Sequence, residues 1–197
     1  GRIMPRDPPD METPVIVRNR RALMLGLAAA MAVPVALASH PAAADPSGHG
    51  NNAQLLGSPA PRGQGRVVRV EMTDNAYNMQ RIQVRAGETI RFVAVNRGQF
   101  LHEFSFAPAA VHAAHRPEMA MMMEHGMITP ERVVSLNMSM PGGHSMSHTA
   151  PNTVLVEPGK TGEISWRFDR AGTIEIACNV PGHYETGMRA DLVVTGR

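Results

Sequence analysis

The sequence predicts an all-β domain, a sandwich or barrel of short strands, interrupted by a partly helical insertion rich in Met and His. Three observations predict it. From residue 66 onward apolar residues recur at every second position, the period of a half-buried strand. The runs are short and are separated by turn sequences such as Arg85-Ala86-Gly87-Glu88, Glu157-Pro158-Gly159-Lys160 and Asp169-Arg170-Ala171-Gly172. The alternation stops between about residues 107 and 150, where methionine and histidine crowd together.

The N-terminal residues read as an address. Residues 1–10 precede Met11, are rich in Pro and Asp, and are set aside as an extension. Arg18, Arg20 and Arg21 form a positive region, Ala22 to Ala38 is apolar and free of charge, and Ala42-Ala43-Ala44 resembles a signal-cleavage site. The pair Arg20-Arg21 hints at a twin-arginine signal. A transmembrane anchor is the competing reading, but the apolar run is short for a span and contains Pro34. The expectation is an extension and signal over residues 1–44, a mature periplasmic chain from Asp45, and no stable membrane insertion after signal removal. Residues 45–65, rich in Gly, Pro, Asn and Ser, are expected to be a flexible linker to a domain spanning 66–197.

Charge and composition narrow the function classes. The net charge is +2, and five arginines against three acidic residues before residue 45 account for it. The remainder is near neutral and has no Lys/Arg-rich patch, which excludes nucleic acid as a partner. Aromatic residues are 4% of the chain, too few for base-stacking platforms.

Within the domain, Val68, Val70 and Met72 alternate with Arg69 and Glu71, and Ile82 and Val84 with Gln83 and Arg85. Thr89 to Val95 is a mostly apolar strand. Leu101 to Phe106 follows, with His102, Phe104 and Phe106 on one face and Glu103 and Ser105 on the other. After the insertion come Val154 to Val156, then a strand with Ile164, Trp166 and Phe168 on one face. Thr173 to Cys178 places Ile174, Ile176 and Cys178 together, and Leu192 to Val194 ends the domain.

In the insertion, Ala109 to Met127 has helix-forming composition broken at Pro117, and carries Met119, Met121, Met122, Met123 and Met127 with His112, His115 and His125. Met138, Met140, His144, Met146 and His148 lie in a stretch of loop composition. Clustered thioethers favour Cu(I), and imidazoles accept Cu(I) or Cu(II). Met119, Met121, Met122, Met123, His125, Met127 and the five loop residues are therefore candidates for secondary copper binding. Core packing is the alternative for the helical methionines, since Met fills irregular gaps.

The sharpest signal lies near the C-terminus. Cys178, His183 and Met188 are each separated by four residues, with Pro181-Gly182 and Gly187 supplying turns. A thiolate, two imidazoles and a weak thioether make up the ligand set of a trigonal copper site, and His102 is the best source of the second imidazole. Singly, Cys178 reads as a core thiol, His183 as a turn residue and Met188 as core. Structural zinc would use more thiolates and no thioether, and a Cys–His nucleophile would need its thiol in an open cleft.

At these residues the chain resembles the cupredoxins, the plastocyanin/azurin superfamily of blue-copper proteins. The segments that carry the resemblance are NRGQFLHEFSF (96–106) and PGKTGEISWRFDRAGTIEIACNVPGHYETGM (158–188). It implies an eight-stranded Greek-key β-sandwich, one type 1 copper per chain, and electron transfer rather than catalysis. It further implies His102, Cys178 and His183 as ligands, Met188 as the axial one, and the edge of His183 as the route for the electron. Two features depart from the family pattern. Glu103 stands where Asn or Ser often follows the first His, which bears on potential and colour. The Met/His insertion looks like that of bacterial periplasmic cupredoxins associated with copper tolerance. Two functions follow as expectations: an electron carrier with a redox partner protein, or a copper-handling protein, alongside copper-handling partner proteins, that binds or buffers excess copper ions, with oxidation of Cu(I) as a further role. The length does not hold the several domains of a multicopper oxidase.

Overall fold

A computed structural model of the chain describes residues 50–139 and 145–196. The expected signal, with Met140 and His144, lies outside the described residues. The described residues form two five-stranded sheets and a two-stranded ribbon. In chain order the elements are β1 (Gly57–Pro59), β2 (Arg66–Thr73), β3 (Ala76–Tyr77), β4 (Arg81–Arg85), β5 (Thr89–Asn96), β6 (His102–Ala107) and α1 (Ala109–Glu124), followed by β7 (Asn137–Ser139), β8 (Ser145–Ser147), β9 (Thr153–Val156), β10 (Thr161–Phe168), β11 (Gly172–Ala177) and β12 (Arg189–Thr195). One sheet runs β1-β10-β5-β2-β3 and the other β4-β12-β11-β6-β9. The pairs β2/β5 and β4/β12 are parallel. The all-β expectation holds. The sandwich's longer strands (β2, β4, β5, β6, β9, β10, β11 and β12) number eight, and β1 and β3 extend the edges of one sheet.

The period-two pattern explains the layers. In β4, Ile82 and Val84 point inward between exposed polar neighbours, and in β12 Ala190, Leu192 and Val194 are buried between less buried neighbours. The centre is aromatic: the Phe92 ring lies 5.2 Å from Phe104 and 5.6 Å from Phe106, which meets Trp166 at 5.2 Å. Each such burial contributes roughly 1.5–3 kcal/mol, so these rings fix how the sheets pack.

Two expectations need correction. The segment expected to be a linker is ordered from residue 50: Leu55 is buried in the core and β1 pairs with β10. Pro117 does not break the insertion helix, since α1 continues through it to Glu124. Proline removes one backbone donor, and the buried row His112, His115, Met119 and Met122 holds the helix against the sandwich. That packing gives β6 a second buried side, so all six of its residues are buried.

Candidate metal centre

Strand ends and one loop bring the predicted ligands together. His102 opens β6, Cys178 follows β11, and Met188 directly precedes β12. The loop between Cys178 and Met188 is closed by its own backbone. Cys178 N–H donates to Met188 O (3.1 Å), Met188 N–H to His183 O (3.0 Å) and His183 N–H to Val180 O (3.0 Å). Gly182 and Gly187 take φ of +87° and +98°, values an L side chain resists, so the tight return needs glycine there.

His102 Nδ1 lies 3.2 Å from His183 Nδ1, and Cys178 Sγ lies 3.3 Å from His183 Nδ1 and 4.0 Å from His102 Nδ1. Both imidazoles turn the same nitrogen toward the sulfur. Met188 is fully buried at the end of the same loop. The sulfur is held from the other side by the Glu103 backbone N–H at 3.3 Å. The far nitrogen of His102 faces Asp74 Oδ1 at 3.4 Å, and that oxygen also accepts from the N–H groups of Gln99 (2.8 Å) and Phe100 (3.2 Å). A carboxylate on the far side of an imidazole fixes its tautomer and leaves Nδ1 free to ligate.

Burial pushes the Cys178 thiol up to about 12. Burial, and then the neighbouring His102, lowers His183 to about 4, and burial lowers His102 as well. The pocket therefore holds neutral imidazoles and a reluctant thiol until a cation displaces the thiol proton. The donor set fits copper: one thiolate, two imidazoles, and a fully buried thioether-bearing residue on the same loop.

A second cluster lies behind β6. The Glu103 side chain is fully buried. Its Oε2 accepts from Asn179 N–H (3.1 Å) and Asn179 Nδ2 (2.7 Å), and its Oε1 accepts from Thr153 Oγ1 (2.8 Å). His115 Nε2 and His148 Nε2 approach Oε1 at 3.1 and 3.5 Å, and Glu118 lies beyond the two rings. Burial lowers His115, but Glu103 and Glu118 outweigh it and hold the imidazole at about 9. His112 joins the edge of this cluster through Asn179 Nδ2 at 3.1 Å.

The secondary copper candidates scatter. Met119, Met122 and Met127 are core residues, Met121 and Met123 are half-buried, and His125 is exposed. Met138 and Met146 are paired positions in the register of the β7–β8 ribbon. His148 joins the Glu103 cluster. Sequence reading missed Asp74, His115 and Asn179 as neighbours of the ligands. Only His115 and Glu118, one helical turn apart, left a spacing signal.

With this geometry established, comparison with known proteins gives a consistent result. The family model of copper binding proteins, plastocyanin/azurin family, matches residues 66–195. The copper-resistant cuproprotein CopI of Pseudomonas aeruginosa is 44% identical over 150 residues, covering 72% of this chain and 83% of that protein. The protein of the same name from Vibrio cholerae is 32% identical, covering 68% of each chain. Among solved structures, auracyanin B superposes with a TM-score of 0.50 at 21% identity, covering 71% of this chain and 96% of that one, a likeness of fold.

Proposed function

Because the chain belongs to the plastocyanin/azurin family of copper-binding proteins, we propose that it is a periplasmic type 1 copper protein whose metal is held by His102, Cys178, His183 and, more weakly, Met188. The observation that carries this reading is the convergence of Cys178 Sγ with the Nδ1 atoms of His102 and His183, each pair within 4.8 Å. Copper bound there supplies a Cu(II)/Cu(I) couple. The protein's part is to keep the donors fixed between the two states. His102 is held by Asp74, Cys178 by the Glu103 N–H, and the remaining ligands by the self-closed loop, so little rearrangement accompanies electron transfer.

His183 is half-buried, the least enclosed of the ligand residues, and the Phe100 ring lies 6.5 Å from its own. Phe100 is 40% exposed and gives a redox partner an apolar contact beside the electron's exit. Among the described residues no helix is long and apolar enough to cross a membrane.

A second reading, copper handling for tolerance, is favoured by the relatives named as copper-resistant cuproproteins and by the Met/His insertion. The test of the main reading is a Cu(II) titration of the full chain followed by visible absorption and EPR. An intense thiolate-to-copper band saturating at one copper per chain is expected, and its absence overturns the assignment. For the second reading, replacing Met138, Met140 and Met146 with Ser should lower Cu(I) capacity while leaving that band intact. Unchanged Cu(I) capacity overturns it.

A further inference from the structure

Strand β6 turns His102 to one side and Glu103 to the other, and a separate group of donors stands behind Glu103. Glu103 Oε1, His115 Nε2 and His148 Nε2 lie within 4.8 Å of one another, and all three residues are buried. The two imidazole nitrogens are 3.1 and 3.5 Å from the carboxylate oxygen. Donors bound at about 2.0–2.1 Å to a tetrahedral ion lie roughly 3.4 Å apart. The two imidazole–carboxylate separations are thus within a few tenths of an ångström of that spacing, and the two imidazole nitrogens lie within 4.8 Å of each other. We propose that Glu103, His115 and His148 form a second metal site, built for a divalent ion that prefers imidazole and carboxylate, such as Zn(II) or Cu(II).

The surroundings suit this role. Asn179 occupies Glu103 Oε2 with two hydrogen bonds, which orients the carboxylate and turns Oε1 toward the imidazoles. The His115 and His148 rings stack with centroids 4.8 Å apart and planes 7° apart, so their Nε2 atoms face the same oxygen. Their Nδ1 atoms face Glu118, at 3.1 Å from His115 and 3.8 Å from His148. A carboxylate behind the far nitrogen is the usual partner of a metal-bound imidazole. None of the three donors is sulfur, so the site does not select Cu(I). The rival account is a closed group of two imidazolium ions and two carboxylates that takes no metal. The site also touches the first one: the Glu103 backbone N–H donates to Cys178 Sγ.

The test starts from the full chain carrying one Cu(II). Zn(II) is then added, because copper outcompetes zinc at a shared site and keeps its place at the thiolate. Metal analysis follows desalting. The wild type should retain one more zinc per chain than His115→Gln or His148→Gln, and zinc uptake should shift its thiolate-to-copper band. Equal zinc retention in wild type and both variants overturns the proposal in favour of the closed ionic group. Should a variant fail to fold, zinc X-ray absorption on the loaded wild type decides. A shell of two imidazoles and oxygen supports the site, and sulfur scatterers place the zinc on methionines and overturn it. A chain that binds zinc in this way but lacks the copper band would fail the type 1 reading alone.

Discussion

The buried charge of Glu103 can be tested by Glu103→Gln in the protein carrying a single copper. The replacement keeps the shape and an acceptor for Asn179, and the backbone N–H to Cys178 Sγ is untouched, so what changes is the charge facing His115 and His148 and the acceptor that Thr153 Oγ1 uses. His115 stands at about 9 against an ordinary 6.5. At about 1.4 kcal/mol per pH unit, that difference corresponds to about 3 kcal/mol. Removing one partner of a buried pair costs about 3–5 kcal/mol, a range that includes this value. A raised imidazole stabilises the fold fully below its ordinary 6.5 and loses that contribution as pH rises through 9. Burial raises Glu103, but His115 and His148 outweigh it and hold the carboxyl well below its usual range, so it remains ionised at pH 6. Glu118, lowered to about 2, remains on the far side of the rings in both proteins. Urea denaturation at pH 6 should therefore show the variant's midpoint lowered by at least about 1 M, and the gap should close as pH rises past 9. A midpoint within about 0.3 M of wild type at pH 6 would refute the claim that an ionised Glu103 faces a protonated His115.

Other outcomes follow from the same structure. Cys178→Ala should abolish the thiolate-to-copper absorption while circular dichroism still reports the β-sandwich; a persistent band would mean the thiolate is misassigned. Asp74→Asn, which weakens the hold on His102 Nε2, should lower Cu(II) affinity about tenfold by competition titration. Met122→Ala should cost about 2–5 kcal/mol in thermal or denaturant unfolding, as a core truncation does, without changing copper stoichiometry. In the folded metal-free protein, buried Cys178 should resist iodoacetamide at pH 8 and react only after denaturation, as read by mass spectrometry.

Much of this was legible in the sequence because it is local. Alternation in β2, β4, β10 and β11 gives their inward residues directly, and the spacing of Cys178, His183 and Met188 reflects a loop short enough to close on itself. What escaped depends on contacts between distant segments. Period two shows that Glu103 lies opposite His102, but not that α1 covers that side. Only the fold shows that His115 and His148 reach one carboxylate. Asp74 sits in a turn far from His102 in sequence, and nothing around it signals a ligand's partner. The ordered segment after residue 50 rests on Leu55 and a three-residue strand amid Gly, Pro and Asn, too little apolar pattern to stand out from a linker.

The two buried sides of β6 also bear on attempts to graft this metal centre onto another scaffold. The stretch from Cys178 to Met188 is tied by its own backbone and could be moved as one piece. The His102 strand could not. Lifted out alone, it would carry a carboxylate shaped for an enclosed, hydrogen-bonded niche onto a bare surface, or bury it with no counter-charge. A transplant therefore needs residues 102–124 and the His148 segment together, or a different residue at position 103. Natural variation in the helix faces the same constraint, because residues far from the copper ligands determine what the neighbour of the first ligand can be.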